Sequence, residues 1–117
     1  VAAMCRWPGV AKPGTVCREL LSAFDILPLA ASVSGAKLPT GVTFDGLDPS
    51  AAIGGGKSRH DALFFEYEKH QGMRWKQWKL VRPDKAGPWQ LYDLSRDEGE
   101  TTDVSSRSPK VADAWPR

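Results

Sequence analysis

Long hydrophobic runs, abundant cysteine and a strong excess of one charge are all missing from this chain of 117 residues. No apolar run approaches the roughly 20 residues that a membrane span requires. The most apolar stretch, Leu20–Val33, contains Asp25 and Pro28 and lies too far from the first residue to be a secretory signal. The sequence therefore predicts no membrane span, and it does not specify a cellular compartment.

Cysteine and histidine are also scarce. Cys5 and Cys17 are the only cysteines, which is too few for a disulfide framework, although a single bridge between them stays open. His60 and His70 are the only histidines, and neither has a second ligand at zinc-binding spacing. We therefore predict structural or incidental thiols and no metal site.

A phosphate-binding loop is missing as well. Gly54–Gly56 precede Lys57 and Ser58, but the pattern G-x-x-x-x-G-K-[ST] requires a glycine where Ala51 stands. We interpret the glycine triplet as a flexible linker.

The net charge of +2, from 16 basic and 14 acidic residues, is too balanced to indicate polyanion binding. Basic residues concentrate between Lys57 and Arg82, and acidic residues concentrate between Asp93 and Asp103. The simplest interpretation is a solvated surface with some intramolecular ion pairs.

The first half of the chain predicts a strand, a turn and a helix. Residues 1–6 are mostly apolar and are stopped by Pro8, and Lys12–Thr15 has the composition of a turn. Leu20, Leu21, Phe24 and Leu27 recur at helical spacing, with Asp25 as the predicted cap and Gly35 at the helix end.

The second half predicts antiparallel strands. Ala62–Tyr67 alternates as a strand, and Trp89–Leu94 predicts another. Between them, Gly72–Arg74 and Trp78–Val81 predict either a hairpin or one continuous strand. Ser108 and Pro109 predict the start of a helix in which Val111, Ala112 and Trp115 cover the sheet.

Five short motifs follow one another along nearly the whole chain. They are Cys5–Gly9 with Lys12–Val16, Phe24–Pro28 through Gly35, Phe44–Leu47, Gly72–Arg74 with Trp78–Leu80, and Leu91–Leu94 with Asp97, Gly99, Glu100 and Asp103. In this order they resemble the C-terminal region of a sulfatase of the arylsulfatase type, in the alkaline-phosphatase-like superfamily. One departure is Glu98, which stands where the family usually has proline.

The resemblance implies an α/β fragment followed by an α+β part. Residues 1–46 correspond to the tail of the sulfatase catalytic α/β domain, with a strand, a turn and a helix. Residues 47–60 are a loop or linker, and residues 61–117 form a small antiparallel β-sheet with a C-terminal packing helix.

The resemblance also implies sulfuric ester hydrolysis, but the reacting groups of the family are absent from this chain. The family converts a Cys or Ser in C/S-x-P-x-R to formylglycine, and it binds calcium through Asp/Asn clusters; neither feature occurs here. Cleavage of a sulfate ester needs a nucleophile, a cation and an acid for the leaving oxygen. We therefore assign no catalytic residue and no cofactor to this chain, and expect it to be inactive alone.

Four residues are candidates for lining the substrate cleft of the parent enzyme. His60 and His70 are the only imidazole side chains of the chain, although the simplest interpretation of each is an exposed loop histidine. Arg74 and Lys79 match the family hairpin and could hold sulfate oxygens, although such residues are usually surface charges.

Two alternatives belong to other classes of function. One is a non-enzymatic interaction module. The other is a strand ribbon that binds single-stranded nucleic acid, because Trp75, Trp78 and Trp89 alternate with Lys and Arg. Tryptophans on a small sheet more often form its core, and the acidic segment 93–103 would repel a polyanion.

The expected partners follow from the same resemblance. They are the remainder of the sulfatase catalytic domain and, in the parent enzyme, a sulfate ester. We also expect self-association through the apolar face of the first helix, which such a fragment would leave exposed.

Overall fold

The computed structural model describes residues 3–112, and two compact units divide the chain after His60. In the part of the chain described, no helix has the length and apolar character needed to cross a membrane. The predicted contribution of Trp115 lies outside the described residues.

The first unit is built around one helix. A 3₁₀ helix, Ala23–Asp25, leads directly into α1, Ile26–Ser34. Gly35 ends α1 in the left-handed conformation with φ 70°, which glycine adopts without steric cost, so the predicted end of the helix is confirmed. Pro28 lies in the first turn, where its missing N–H removes no helical hydrogen bond.

The predicted strand in residues 1–6 is wrong over its described part. Residues 3–7 have no regular structure, because a strand needs a hydrogen-bonded neighbour and the sheet of the described residues contains none from the first unit. The turn at Lys12–Thr15 is confirmed, since the backbone N–H and the hydroxyl of Thr15 both donate to the Lys12 carbonyl.

The glycine-rich stretch contains a short helix, so its interpretation as a flexible linker is also wrong. Helix α2 spans Ser50–Ile53, and the N–H groups of Gly54, Gly55 and Gly56 donate to carbonyls within it. Gly55 has φ +95°, which a residue with a side chain rarely adopts. The triplet is therefore a helix terminator.

The second unit contains a four-stranded antiparallel sheet in the order β1-β2-β3-β4. The strands are β1, Ala62–Tyr67; β2, His70–Trp75; β3, Trp78–Arg82; and β4, Gln90–Asp93. The two arms of the predicted hairpin are separate strands, joined by a two-residue turn at Lys76 and Gln77. After β4 come a 3₁₀ helix, Ser105–Arg107, and helix α3, Pro109–Ala112.

One face of the sheet carries the core of the second unit. Met73, Leu80 and Leu91 are buried and lie side by side, because Met73 pairs with Leu80 and Leu80 pairs with Leu91. The half-buried hydrophobic residues that pack against this cluster are Ala62, Trp75, Trp78, Trp89, Val104 and Val111. This confirms that the three tryptophans belong to the core and that Val111 covers the sheet.

Candidate functional site

Three of the four predicted cleft residues share one face of the sheet. Arg74 pairs with Lys79, and Lys79 pairs with Tyr92, while His70 pairs with Tyr67 at the other end of β2. Side chains alternate along a strand, so these residues lie on the face opposite the core. We call this the second face; its remaining members are Leu63, Phe65, Gly72, Val81 and Gln90.

Arg74 is held by the turn that follows β2. Its guanidinium donates to the carbonyls of Lys76 and Trp78, the second at 3.2 Å. Burial lowers the pKa of Arg74 and the charge of Glu100 opposes that shift, but the side chain stays protonated at neutral pH. Among the described residues no carboxylate forms an ion pair with it, so its positive charge is oriented but not neutralised.

Lys79 differs from Arg74 because it has an acidic partner. Its ammonium lies 2.6 Å from both carboxylate oxygens of Glu100, and both side chains are about two-thirds buried. Glu100 adopts a left-handed backbone conformation with φ 55°. Lys79 therefore links β3 to the loop after β4, and its charge is compensated within the unit.

His60 is not the exposed loop residue that the sequence suggested. Its side chain is 7% exposed, and its Nε2 atom lies 2.7 Å from Oδ1 of Asp25, whose side chain is 3% exposed. The imidazole already has a buried partner, and it belongs to the first unit, whereas His70, Arg74 and Lys79 belong to the second. His70 is exposed at the start of β2.

Asp25 is the central residue of the first unit, and sequence reasoning missed this role. It was expected to cap α1, but its side chain makes no capping bond to that helix. Its carboxylate instead accepts hydrogen bonds from the backbone N–H groups of Ser22 at 2.8 Å and Leu47 at 2.9 Å, in addition to the contact with His60. The Ser22 hydroxyl accepts from the Phe24 N–H, which completes a capping box.

The burial and the hydrogen bonds of Asp25 also affect its pKa. Burial alone would raise its pKa, but the hydrogen bonds from Ser22, Leu47 and His60 outweigh burial and hold the pKa below the ordinary value of an aspartate. A capping-box pattern was readable in the sequence as Ser22 followed by Asp25. The contacts with Leu47 and His60 had no local signal, because they join residues far apart in the chain.

Neither a disulfide nor a cation site is formed by the described residues. Cys5 and Cys17 are both free and exposed, which settles the bridge that the sequence left open. Within residues 3–112, no three His, Cys, Asp or Glu side chains come close enough to hold a metal ion. The residues present thus do not fit the calcium site of the resembled family, and we derive no step through calcium for this chain.

Curated relatives and solved structures match most of the length of this chain. No family model matches the chain. Human arylsulfatase A is 33% identical over 96% of this chain and 28% of its own length, and rat arylsulfatase G is 29% identical over 100% of this chain and 26% of its own. The solved structure of Ps i-CgsB superposes with a TM-score of 0.77 at 26% identity, covering 91% of this chain and 25% of that one.

These relatives define the class as sulfatases. The chain belongs to the sulfatase family, and it spans about a quarter of the length of the relatives it matches. The alignment with human arylsulfatase A runs over 144 positions, which exceeds the 117 residues of this chain. That relative therefore has additional residues within the matched region.

Proposed function

We propose that the chain is the C-terminal part of an arylsulfatase-like sulfuric ester hydrolase and helps to shape its substrate cleft. In this proposal it comprises the end of the alkaline-phosphatase-like α/β domain and the small sheet that follows. The observation that carries the proposal is the extent of the match, which covers 96% of this chain but 28% of human arylsulfatase A. The order of the five motifs along the chain supports a C-terminal position.

The second face of the sheet is the part proposed to contribute to the cleft. Arg74 carries an oriented, uncompensated guanidinium, and a guanidinium can donate two parallel hydrogen bonds to a sulfate group. Lys79 supports this face through Glu100, and His70 lies at its end. His60 is proposed to act only by positioning, since its imidazole is buried against Asp25.

The proposed partner of the first unit is the remainder of the catalytic domain. Phe24 is 69% exposed and Leu27 is 52% exposed, and both line an apolar groove of about 600 Å³ with Phe44 and Gly46. The groove is preformed, because a Cβ atom on Gly46 would lie 2.0 Å from the Phe24 carbonyl oxygen, and because Asp25 fixes Leu47 beside it. An exposed apolar surface of this kind favours burial against another part of the fold.

We expect no hydrolysis of an aryl sulfate by the purified 117-residue chain. The chain lacks C/S-x-P-x-R, so it has no source of the formylglycine nucleophile that the family uses. The measurement is release of a chromogenic phenol with calcium supplied, beside a chelator control and a complete arylsulfatase as positive control. Calcium-dependent turnover by the chain would contradict the proposed inactivity and would require a nucleophile supplied by other residues.

We also expect the isolated chain to self-associate through the exposed face of α1. Leu27→Lys should shift sedimentation towards the monomer, because a charge on this face opposes its burial against a second copy. The matched control is Val16→Lys, which changes an exposed apolar residue outside the helix. A monodisperse monomer at high concentration with cooperative unfolding would refute this expectation.

A further inference from the structure

The two edges of the four-stranded sheet differ. The outer edge of β4 is covered by the segment that follows it, because the N–H of Leu91 donates to Asp103 and the N–H of Val104 donates to the Leu91 carbonyl. At the other edge lies β1, and no strand of the described residues pairs with the side of β1 that faces away from β2. An edge of this kind presents backbone donors and acceptors with which another strand can pair.

Backbone groups alternate in direction along β1. Tyr67 and His70 flank the two-residue turn 68–69 that joins β1 to β2, so they form a hydrogen-bonded pair. Every second residue before Tyr67 repeats this pairing, while the residues between them direct their N–H and C=O groups away from β2. The N–H groups of Ala62 and Glu66 therefore point to the outer edge of the sheet.

The sequence of β1 gives this edge little protection against pairing. Edge strands are commonly protected by proline, by a bulge or by charged side chains. The register of β1 with β2 is continuous over six residues, and the strand contains no proline. Its only charged residue is Glu66, whose carboxylate is already bound to Lys85 and accepts from Gln71 at 3.1 Å. Phe65 and Tyr67 are 55% and 72% exposed, so apolar surface lies directly beside the edge.

We propose that β1 pairs with β1 of a second copy of this chain, antiparallel and centred on Phe65, to form a continuous eight-stranded sheet. A two-fold axis through Phe65 keeps the second face of both copies on the same side of the sheet. It places the two Phe65 side chains beside each other and Leu63 opposite Tyr67 of the second copy. Pairs of aromatic and apolar side chains across neighbouring strands stabilise a sheet.

The charges next to β1 favour this register. Asp61 directly precedes β1 and Lys69 lies in the turn after it, and both are exposed. Centring the pair on Phe65 places Asp61 of each copy opposite Lys69 of the other, which gives two attractive contacts. Centring it on Glu66 would place two carboxylates opposite each other, and like charges in that position are destabilising. Centring it on Phe64 would shift Asp61 two residues away from Lys69 and lose both contacts.

The test is sedimentation of the full chain carrying Leu27→Lys, which should remove association through α1. We expect a monomer–dimer equilibrium, together with amide hydrogen exchange at Ala62 and Glu66 that slows as the concentration rises. Adding Lys69→Glu should weaken the association by about tenfold, because two attractive contacts become repulsive. Lys37→Glu makes the same change of charge at an exposed lysine of the first unit, so this matched control should leave the association unchanged.

A mixture of two charge variants tests the register itself. Asp61→Lys and Lys69→Glu should each associate poorly alone, and both positions are exposed, so the variants should fold normally. An equimolar mixture should associate about as strongly as the parent chain, because each lysine then faces an acidic residue of the other copy. A mixture that associates no better than the separate variants would overturn the proposal.

Three other results would overturn it too. They are a monomer at every concentration, equal association of the Lys69→Glu and Lys37→Glu variants, and full protection of the Ala62 and Glu66 amides in the dilute monomer. The last result would mean that another segment of the same chain covers β1. None of these results bears on the proposed function, which rests on the match to the arylsulfatases.

Discussion

Asp25→Ala is expected to lower the stability of the first unit by about 3 kcal/mol. The substitution removes the acceptor of the Ser22 and Leu47 N–H groups and of the buried His60 side chain. Each buried donor left without an acceptor costs about 1–3 kcal/mol. The loss is large for a unit with so few buried apolar side chains, since those among its described residues are Pro28, Pro49 and Ala52.

The measurement is hydrogen exchange at the Ser22 and Leu47 amides, which reports opening of this unit separately from the sheet. Both amides should lose protection in Asp25→Ala and part of it in Asp25→Asn, because the amide side chain keeps one acceptor. Asp45→Ala is the matched control, because Asp45 is an exposed aspartate close in sequence to Leu47. Equal protection in Asp25→Ala and the parent chain would contradict the central role of Asp25.

The same residue predicts how stability depends on acid. The pKa of Asp25 is lowered in the folded chain, so the folded state favours the carboxylate more than the unfolded state does. The contribution of this carboxylate to stability is therefore complete above the ordinary aspartate pKa of about 3.9, and it is lost as the pH falls through the lower, folded value. Asp25→Asn should flatten this acid dependence, which urea unfolding at a series of acidic pH values would measure.

Part of the secondary structure of each unit could be predicted because its signals are local. Alternation from Ala62 to Tyr67 fixed the bounds of β1, and Gly35 marked the end of α1. The hairpin stayed ambiguous because Lys76, with φ 51°, supplies a left-handed turn position where glycine or asparagine would have been the sequence signal. The helix at Ser50–Ile53 was missed because glycines follow it directly, and a four-residue helix has too little periodicity to recognise.

The candidate site was predicted less completely. Arg74 and Lys79 were identified by motif, and their pairing across β2 and β3 follows from the hairpin. The sequence did not show that Lys79 forms an ion pair and that Arg74, within the described residues, does not, because the partner of Lys79 is Glu100, which lies in a loop 21 residues away. His60 was misjudged for the same reason, since its partner Asp25 lies 35 residues earlier. Contacts at such separations are set by the fold and leave no local pattern.

Leu91→Ala is expected to destabilise the sheet unit by about 3 kcal/mol, a large fraction of the stability of a small domain. Leu91 is 0% exposed and packs in the cluster with Met73 and Leu80. Its backbone also connects β4 to the following segment, because its N–H donates to Asp103 and its carbonyl accepts from Val104. Those bonds hold the backbone in place, so the surroundings cannot close fully around the cavity, and the expected cost lies within the range of about 2–5 kcal/mol for buried leucines.

Urea unfolding followed by tryptophan fluorescence measures this effect, because Trp75, Trp78 and Trp89 pack against the same cluster. Leu91→Met is the matched control, since it keeps the side-chain volume and should cost less than about 1.5 kcal/mol. Val81→Ala removes methyl groups from the second face, where the residue is only half-buried, and should cost less than Leu91→Ala. If Leu91→Ala and Val81→Ala lowered the free energy of unfolding by equal amounts, the two faces of the sheet would contribute equally to stability. The core would then not lie on the Leu91 side.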